Sequence, residues 1–351
     1  MASTRVIGLD IGTSFARAIE LQFGRGGADD VTVVRHGQIP LPRGAVRDGE
    51  VVDSHVVSSE LRRLWAETKF DSRDVVIGVG NQRVIVRELE LPWMPAVELR
   101  KSLPFQVQEL LPMPIDDALL DFFPTSEFDG EQGRMISGML VAAQRGTISA
   151  NVLAVEGAGL RPTMVDLNSF ALLRALARGD LAQRVIGIVD VGASVTHVAV
   201  VAHGVPRLVR ILSSGGHDIT NAVAHALGVS GPEAEALKRE IGVGFAVTPD
   251  RESAGIAVSD VAATLIEAVR NTFVYYSGNN PGAAIELVVM TGGGSQLVGL
   301  GQYLSSASRL PVTIGNPLAG LKMGKSVSSD ALAGFGPYFA LSVGLAYGVA
   351  A

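Results

Sequence analysis

Two stretches of the chain repeat one another and carry the residues best suited to chemistry. Ile7-Gly8-Leu9-Asp10-Ile11-Gly12-Thr13-Ser14 recurs as Ile188-Val189-Asp190-Val191-Gly192-Ala193-Ser194 just past the middle. In each copy an apolar strand delivers an aspartate and then a small-residue turn. A carboxylate there can hold the water shell of Mg²⁺. A Gly-Thr-Ser or Gly-Ala-Ser turn can offer backbone N–H and hydroxyl groups to phosphate oxygens with no bulky side chain in the way. Two such turns facing each other across a duplicated fold suit a nucleotide polyphosphate gripped from both sides. Asp10 and Asp190 would order Mg²⁺ through water, and Gly12, Thr13, Ser14, Gly192, Ala193 and Ser194 would contact phosphate. Either aspartate alone would pass as an ordinary turn residue; their shared context favours the binding reading.

The elements that must position these turns follow from the apolar pattern. Strands are predicted at Arg5–Leu9, Ala18–Phe23 and Val31–His36, a helix at Ser54–Lys69, and a buried strand at Val75–Val79. The second half repeats the three-strand opening at Val185–Val189, Val195–Val201 and Pro206–Leu212. Helices around Thr220–Leu227, Pro232–Ile241 and Val258–Tyr276 follow, then a strand at Ile285–Met290. Residues 83–167 belong to neither repeat and read as an inserted α+β module. The expected organisation is therefore a duplicated α/β fold. Residues 1–82 and 168–184 form a first lobe, completed by a C-terminal helix over 337–351. Residues 185–336 form a second lobe with a small helical subdomain at about 220–257.

Composition sets limits. A chain of 351 residues with 47% hydrophobic content can bury two cores. A net charge of −6 with no lysine- or arginine-rich block gives no reason to expect nucleic-acid binding. There is no cysteine, so disulfides and cysteine metal sites are excluded. Asp10 interrupts any signal-peptide stretch, and the apolar run Tyr338–Ala351 is too short and too glycine-broken to span a bilayer. The expected address is the cytoplasm. His197, in an apolar strand, reads as a packed core residue. Ala319-Gly320-Leu321-Lys322-Met323-Gly324-Lys325-Ser326 nearly spells a P-loop, but Ala319 takes the first glycine position, and the segment reads as a surface loop.

The pattern resembles the actin-like ATPase superfamily (a ribonuclease H-like fold), which includes actin, chaperone ATPases, sugar kinases, MreB and FtsA. In that family paired aspartate turns flank ATP and Mg²⁺. The resemblance implies nucleotide contacts from Gly292, Gly293, Gly294 and Ser295, from Glu235 and Lys238 of an Ala-Glu-x-x-Lys helix, and from Gly215 and Gly216. The extra module follows Val75–Gly80, as in FtsA and PilM, and not the third strand, as in actin and MreB. Two strings are similar to the PilM family of pilus assembly proteins. One is the Leu-Pro-x-Gly-x-Val-x-Asp-Gly connection at 41–49; the other is Glu109-Leu110-Leu111-Pro112-Met113-Pro114-Ile115-Asp116-Asp117 with Leu120-Asp121-Phe122.

That likeness implies a cytoplasmic ATP-binding adaptor on the inner-membrane platform of a type IV pilus or a related secretion or tight-adherence apparatus. Its partner would be the N-terminal cytoplasmic tail of a PilN-like membrane protein, held between the first lobe and the inserted module. Direct membrane insertion is not expected, because no amphipathic tail like that of FtsA follows the last apolar helix; self-association stays open. The rivals are a sugar kinase of the same fold and an FtsA-like filament-forming division protein. Relatives of the MreB kind place a glutamate before the helix that returns to the first lobe. The register puts Asn168 there, with Asp166 as the alternative. An amide orients water without accepting its proton, so weak or no hydrolysis is expected.

Overall fold

The computed structural model describes residues 4–349 apart from 132, 246–247, 329–331 and 333. Residues 1–3 of the expected first lobe and 350–351 of the expected closing helix lie outside the described residues. The first lobe opens with β1 (Thr4–Ile11), β2 (Phe15–Gly24) and β3 (Gly27–Pro40), then a small ribbon of β4 (Val46–Arg47) and β5 (Glu50–Val51), α1 (Ser54–Thr68) and β6 (Asp74–Val79). Asp53 caps α1 by accepting a hydrogen bond from the Val56 N–H at 3.0 Å, and Val57, Leu61 and Leu64 form its buried stripe. After the inserted elements come β10 (Arg161–Leu167) and α4 (Asn168–Leu176). The second lobe runs through β11 (Val185–Val191), β12 (Thr196–Ala202), β13 (Val205–Leu212), α5 (Gly216–Leu227), α6 (Gly231–Ile241), α7 (Glu252–Asn279), β14 (Leu287–Thr291), α8 (Leu300–Ser308) and β15 (Val312–Ile314).

Sheet topology makes the duplication explicit. One sheet has the order β10-β6-β1-β2-β3, and the other has β15-β14-β11-β12-β13. In both, the first three strands form antiparallel pairs, and the remaining two add in parallel on the far side of the first. β11 and β12 are buried along their whole length, which is why they read as apolar runs without alternation.

The inserted module is smaller than the sequence suggests. Its sheet comprises β7 (Val84–Pro92), β8 (Ala118–Gly130) and β9 (Gly133–Gln144) in the order β7-β9-β8, with α2 (Ala96–Val107) against it. β10 pairs in parallel with β6 and so completes the first-lobe sheet, while α3 (Arg145–Gly157) buries Ala154 and Val155 in the same core as Val57 and Leu61 of α1. Residues 145–167 therefore belong to the first lobe. The reason is that a parallel strand needs a helical crossover, and α3 supplies it. A second correction concerns the near-P-loop. Lys322–Met323 forms a short strand, β16, parallel to Thr32–Val33 of β3, so this part of the expected second lobe edges the first-lobe sheet.

The helix α9 (Ala340–Tyr347) and α4 share one core with both sheets, in which Val6, Ile19, Ile186 and Ala199 meet Leu172, Val343 and Leu345. Two glycines set how close these layers come. A Cβ on Gly8 of β1 would lie 1.9 Å from the Ser342 carbonyl oxygen, and one on Gly344 would lie 1.8 Å from that of Ala171. Among the described residues no helix is long and apolar enough to cross a membrane.

Because backbone cannot rotate away, Gly344→Ala is expected to cost at least about 2 kcal/mol of unfolding free energy in urea titrations. Gly146→Ala, where an added Cβ meets nothing within 4 Å inside α3, is the control and should be neutral or slightly stabilising.

Candidate functional site

Both repeated strands end at the same kind of turn. The Gly12 N–H donates to the Phe15 carbonyl at 3.0 Å, and the Gly192 N–H donates to the Val195 carbonyl at 3.0 Å. Each turn leaves its aspartate buried, with Asp10 9% and Asp190 5% exposed. Among the described residues neither carboxylate accepts a hydrogen bond or enters an ion pair. Burial lifts the Asp10 carboxyl to about 6 against the pull of Arg17. Burial lifts Asp190 to about 7, helped by the negative charge of Asp10 and opposed by Arg17. Two carboxylates that feel one another in the interior, only partly offset by Arg17, form a site that suits a cation.

The glycine run lies directly against this pair. Gly292 has φ +81°, and a Cβ there would sit 2.4 Å from the Asp190 Oδ1 and 2.5 Å from the Val191 carbonyl oxygen. A Cβ on Gly294 would likewise lie 2.4 Å from the Val191 Cγ1. Ser295 is turned inward, donating its hydroxyl to the Gly292 carbonyl at 2.7 Å, so it builds the loop instead of presenting a free hydroxyl. Gly215 and Gly216 run along the second turn. The Gly216 N–H donates to Gly192 at 2.9 Å and the His217 N–H to Ala193 at 2.7 Å, and a Cβ on Gly215 would meet both carbonyl oxygens at 2.6 Å. The His217 ring then reaches across to the Ser14 hydroxyl, Nε2 to Oγ 3.1 Å, and links the two turns.

Glu235 and Lys238 occupy one face of α6 but are engaged with each other. The Lys238 ammonium donates to Glu235 at 2.6 Å, to the Thr220 hydroxyl at 3.0 Å and to the Gly216 carbonyl at 3.1 Å. Burial opposes ionisation of Glu235, but hydrogen bonds from Lys238 and Thr220 outweigh it and hold the carboxyl below its usual range. The pair thus anchors α6 to the start of α5, where Gly215 and Gly216 lie.

The two candidates for water activation separate. Asp166 forms an ion pair with Arg174, which also donates to the Gly344 carbonyl at 3.2 Å, so its carboxylate is committed to the α4–α9 contact. Asn168 instead covers the end of β6. A Cβ on Gly78 would lie 2.1 Å from its Oδ1, and one on Gly80 would lie 2.8 Å from its Cβ and 2.5 Å from His197 Cε1. His197 of the second lobe and Asn168 therefore both close on the Gly80 backbone. Burial lowers the His197 pKa to about 4, and Nδ1 has no hydrogen-bond partner. A neutral buried imidazole with a free nitrogen is fitted to hold a water. Reading His197 as plain core packing missed this, and Arg17 escaped notice altogether. The signal was present in the repeat, because Arg17 and His197 each stand seven residues beyond their aspartate and pair with it across the hairpin.

Known proteins agree with this architecture. A solved structure described as a PilM–PilN type IV pilus biogenesis complex shares 28% identity, covers 97% of each chain and superposes with a TM-score of 0.85. The crystal structure of MreB5 of Spiroplasma citri bound to ADP, at 13% identity over 97% of this chain and 94% of its own, shares the fold with a TM-score of 0.52. The cell division protein FtsA of Bacillus subtilis is 23% identical over 67% of this chain, an alignment that spans 58% of its own length. The sequence model of type IV pilus assembly protein PilM matches residues 8–348. With a duplicated actin-like fold, an insertion after β6 and that match across nearly its whole length, this chain belongs to the PilM family of type IV pilus assembly proteins.

Proposed function

We propose that the chain is a nucleotide-clamped scaffold of the pilus assembly platform, and that it holds the cytoplasmic tail of a PilN-like membrane protein. The observation that carries the nucleotide half is the buried, unpartnered pair Asp10 and Asp190 with glycine backbone packed against it. Bound Mg²⁺-ATP would supply the missing positive charge and a polyphosphate shared by both lobes. Asp10 and Asp190 would accept hydrogen bonds from the metal's waters, and Thr13, Ser14, Ala193 and Ser194 would donate backbone N–H groups to phosphate, the Gly12 and Gly192 N–H groups being spent within their turns. Gly215, Gly216 and the run Gly292–Gly294 leave room for the nucleotide to approach the backbone, and Arg17 sits beside both aspartates to balance charge. The ADP held by the MreB5 structure of the same fold supports this reading.

The tail would lie where the module meets the first lobe, and similarity to the PilM–PilN complex supports it. β8 and β10 are edge strands of their sheets. Phe123 of β8 is 43% exposed and rests on Phe170 of α4 with ring centroids 5.1 Å apart. Those side chains offer apolar anchors for a short peptide. The tail would bring the scaffold to the inner face of the membrane. A sugar kinase would need a free carboxylate base, and Asp166 is committed to Arg174.

Asp190→Asn is expected to abolish Mg²⁺-ATP binding in calorimetry. Wild-type affinity should fall as pH drops from 8 to 6, as Asp190 and then Asp10 take up protons. Stability without nucleotide runs the other way. Carboxyls whose pKa is raised on folding bind protons in the folded state that the unfolded chain releases, so stability declines as pH rises from 6.5 to 8. Asp190→Asn should flatten that slope; an equal slope in both proteins refutes the site. Below 6.5 the buried His197 acts in the opposite direction, so the comparison belongs above that value.

Turnover should be slow, because His197 and Asn168 can orient a water but the amide cannot take its proton. In single-turnover assays most ATP should remain after minutes, and Asn168→Glu should accelerate its loss. Fast wild-type hydrolysis would make the chain a working ATPase. For the partner, Phe123→Glu should abolish binding of the PilN-like tail in a membrane pull-down while leaving ATP affinity unchanged; unaltered tail binding would move the groove elsewhere.

A further inference from the structure

The Leu41–Gly49 connection of the first lobe begins as a turn whose base is fixed on both sides. The Leu41 N–H donates to the Ser14 carbonyl at 2.9 Å, and the Val52 and Asp53 N–H groups donate to the Ala45 carbonyl at 2.9 and 3.1 Å. Between these anchors the Ala45 N–H donates back to the Pro42 carbonyl at 3.1 Å and closes the turn Pro42-Arg43-Gly44-Ala45. Gly44 takes φ +89°, the positive value that the third place of such a turn demands. Leu41, Ala45 and Val46 are buried in the first-lobe core, so Arg43 stands exposed at the apex of a fixed base.

The apex reaches the second lobe. The Arg43 Nη2 donates to the Asn221 Oδ1 on α5 at 3.2 Å, and a Cβ on Gly231, the first residue of α6, would lie 2.9 Å from the Arg43 Nη1. One first-lobe side chain therefore bears on both helices. Asn221 stands four residues after His217, on the same face of α5 and about 6 Å farther along it. His217 bonds to Ser14, whose carbonyl also holds Leu41. Both crossings thus leave one first-lobe unit and end on one helix face. Among the described residues Arg43 enters no ion pair, and Asn221 is exposed, so their bond can break without stranding a buried charge.

We infer that the turn at 42–45 is a strap across the cleft, in which Arg43 grips Asn221 beyond the Ser14–His217 bond and sets how fast nucleotide enters and leaves. This rests on the proposed nucleotide site between the aspartate turns. On that reading Ser14 approaches the nucleotide from the first lobe, and Gly215 and Gly216 approach it from the start of α5. The two crossings join those same walls, so passage on the α5 side requires the lobes to part there and both bonds to break. A bond that stands with the site full or empty raises the barrier in both directions and leaves affinity nearly unchanged. That separates a strap from a residue that touches the nucleotide.

The test follows nucleotide exchange on the full chain. Uptake of the fluorescent analogue mant-ADP with Mg²⁺, and its release into excess ATP, are timed by stopped flow, and Kd is taken from calorimetry. Arg43→Ala should accelerate uptake and release by at least about fivefold each, with Kd held within about twofold. Asn221→Ala should do the same, and the double variant should go no further than either alone. Both positions are exposed, so the Tm should not move. Unchanged release, additive effects of the two variants, or a weakened Kd with unaltered uptake would each overturn the strap while leaving the nucleotide site standing. A wild-type protein that binds neither mant-ADP nor ATP would overturn the site itself, and the strap with it.

Discussion

Two carboxylates buried near one another, paired with no cation and only partly offset by Arg17, are the constraint on which the rest depends. Asp10 and Asp190 come from opposite lobes, so each lobe is poorly compensated in the presence of the other until something positive arrives. Arg17 offsets part of this, as its effect on both carboxyls shows. The glycine backbone packed on Asp190 and the Ser14–His217 link show that the surroundings were shaped around that pair. On the proposed reading, a scaffold built this way would couple its shape to nucleotide occupancy without needing rapid chemistry.

The two halves keep one topology but differ where it counts. The residue paired with the aspartate is arginine in the first lobe and histidine in the second. Arginine cannot lose its charge and so serves compensation. Burial keeps the histidine neutral, which suits it to a water. Duplication supplied two equivalent positions, and the different side chains divide the work between them.

Much of this was legible before any coordinates. Val6, Ile19 and Leu21 alternate or run together as strands must, and the paired Asp-x-Gly turns announce a repeat whose halves face one another. Local pattern did not reveal partners distant in sequence. Nothing local to 161–167 says that it pairs with β6, since a parallel strand's neighbour is set by the crossover and not by its own residues. The commitments of Asp166 to Arg174 and of Ser295 to Gly292 were equally hidden, because a side chain's spacing does not say what it bonds. His197 looked like core because it is buried; its free nitrogen and its contact across the lobes appear only in three dimensions.

The fit of Gly8 against Ser342 bears on how the protein is made. β1 leaves the ribosome early, yet the helix that covers it lies more than three hundred residues later in the sequence. At about 5–20 residues per second, the apolar face of the first sheet waits roughly 20–60 s for its cover during translation. Over that interval the nascent chain carries the early strands of that sheet with an apolar side uncovered, a natural substrate for chaperones that shield apolar surface. Truncation before α9 would make that state permanent, so loss of that helix would show itself as aggregation before it showed as loss of any ligand.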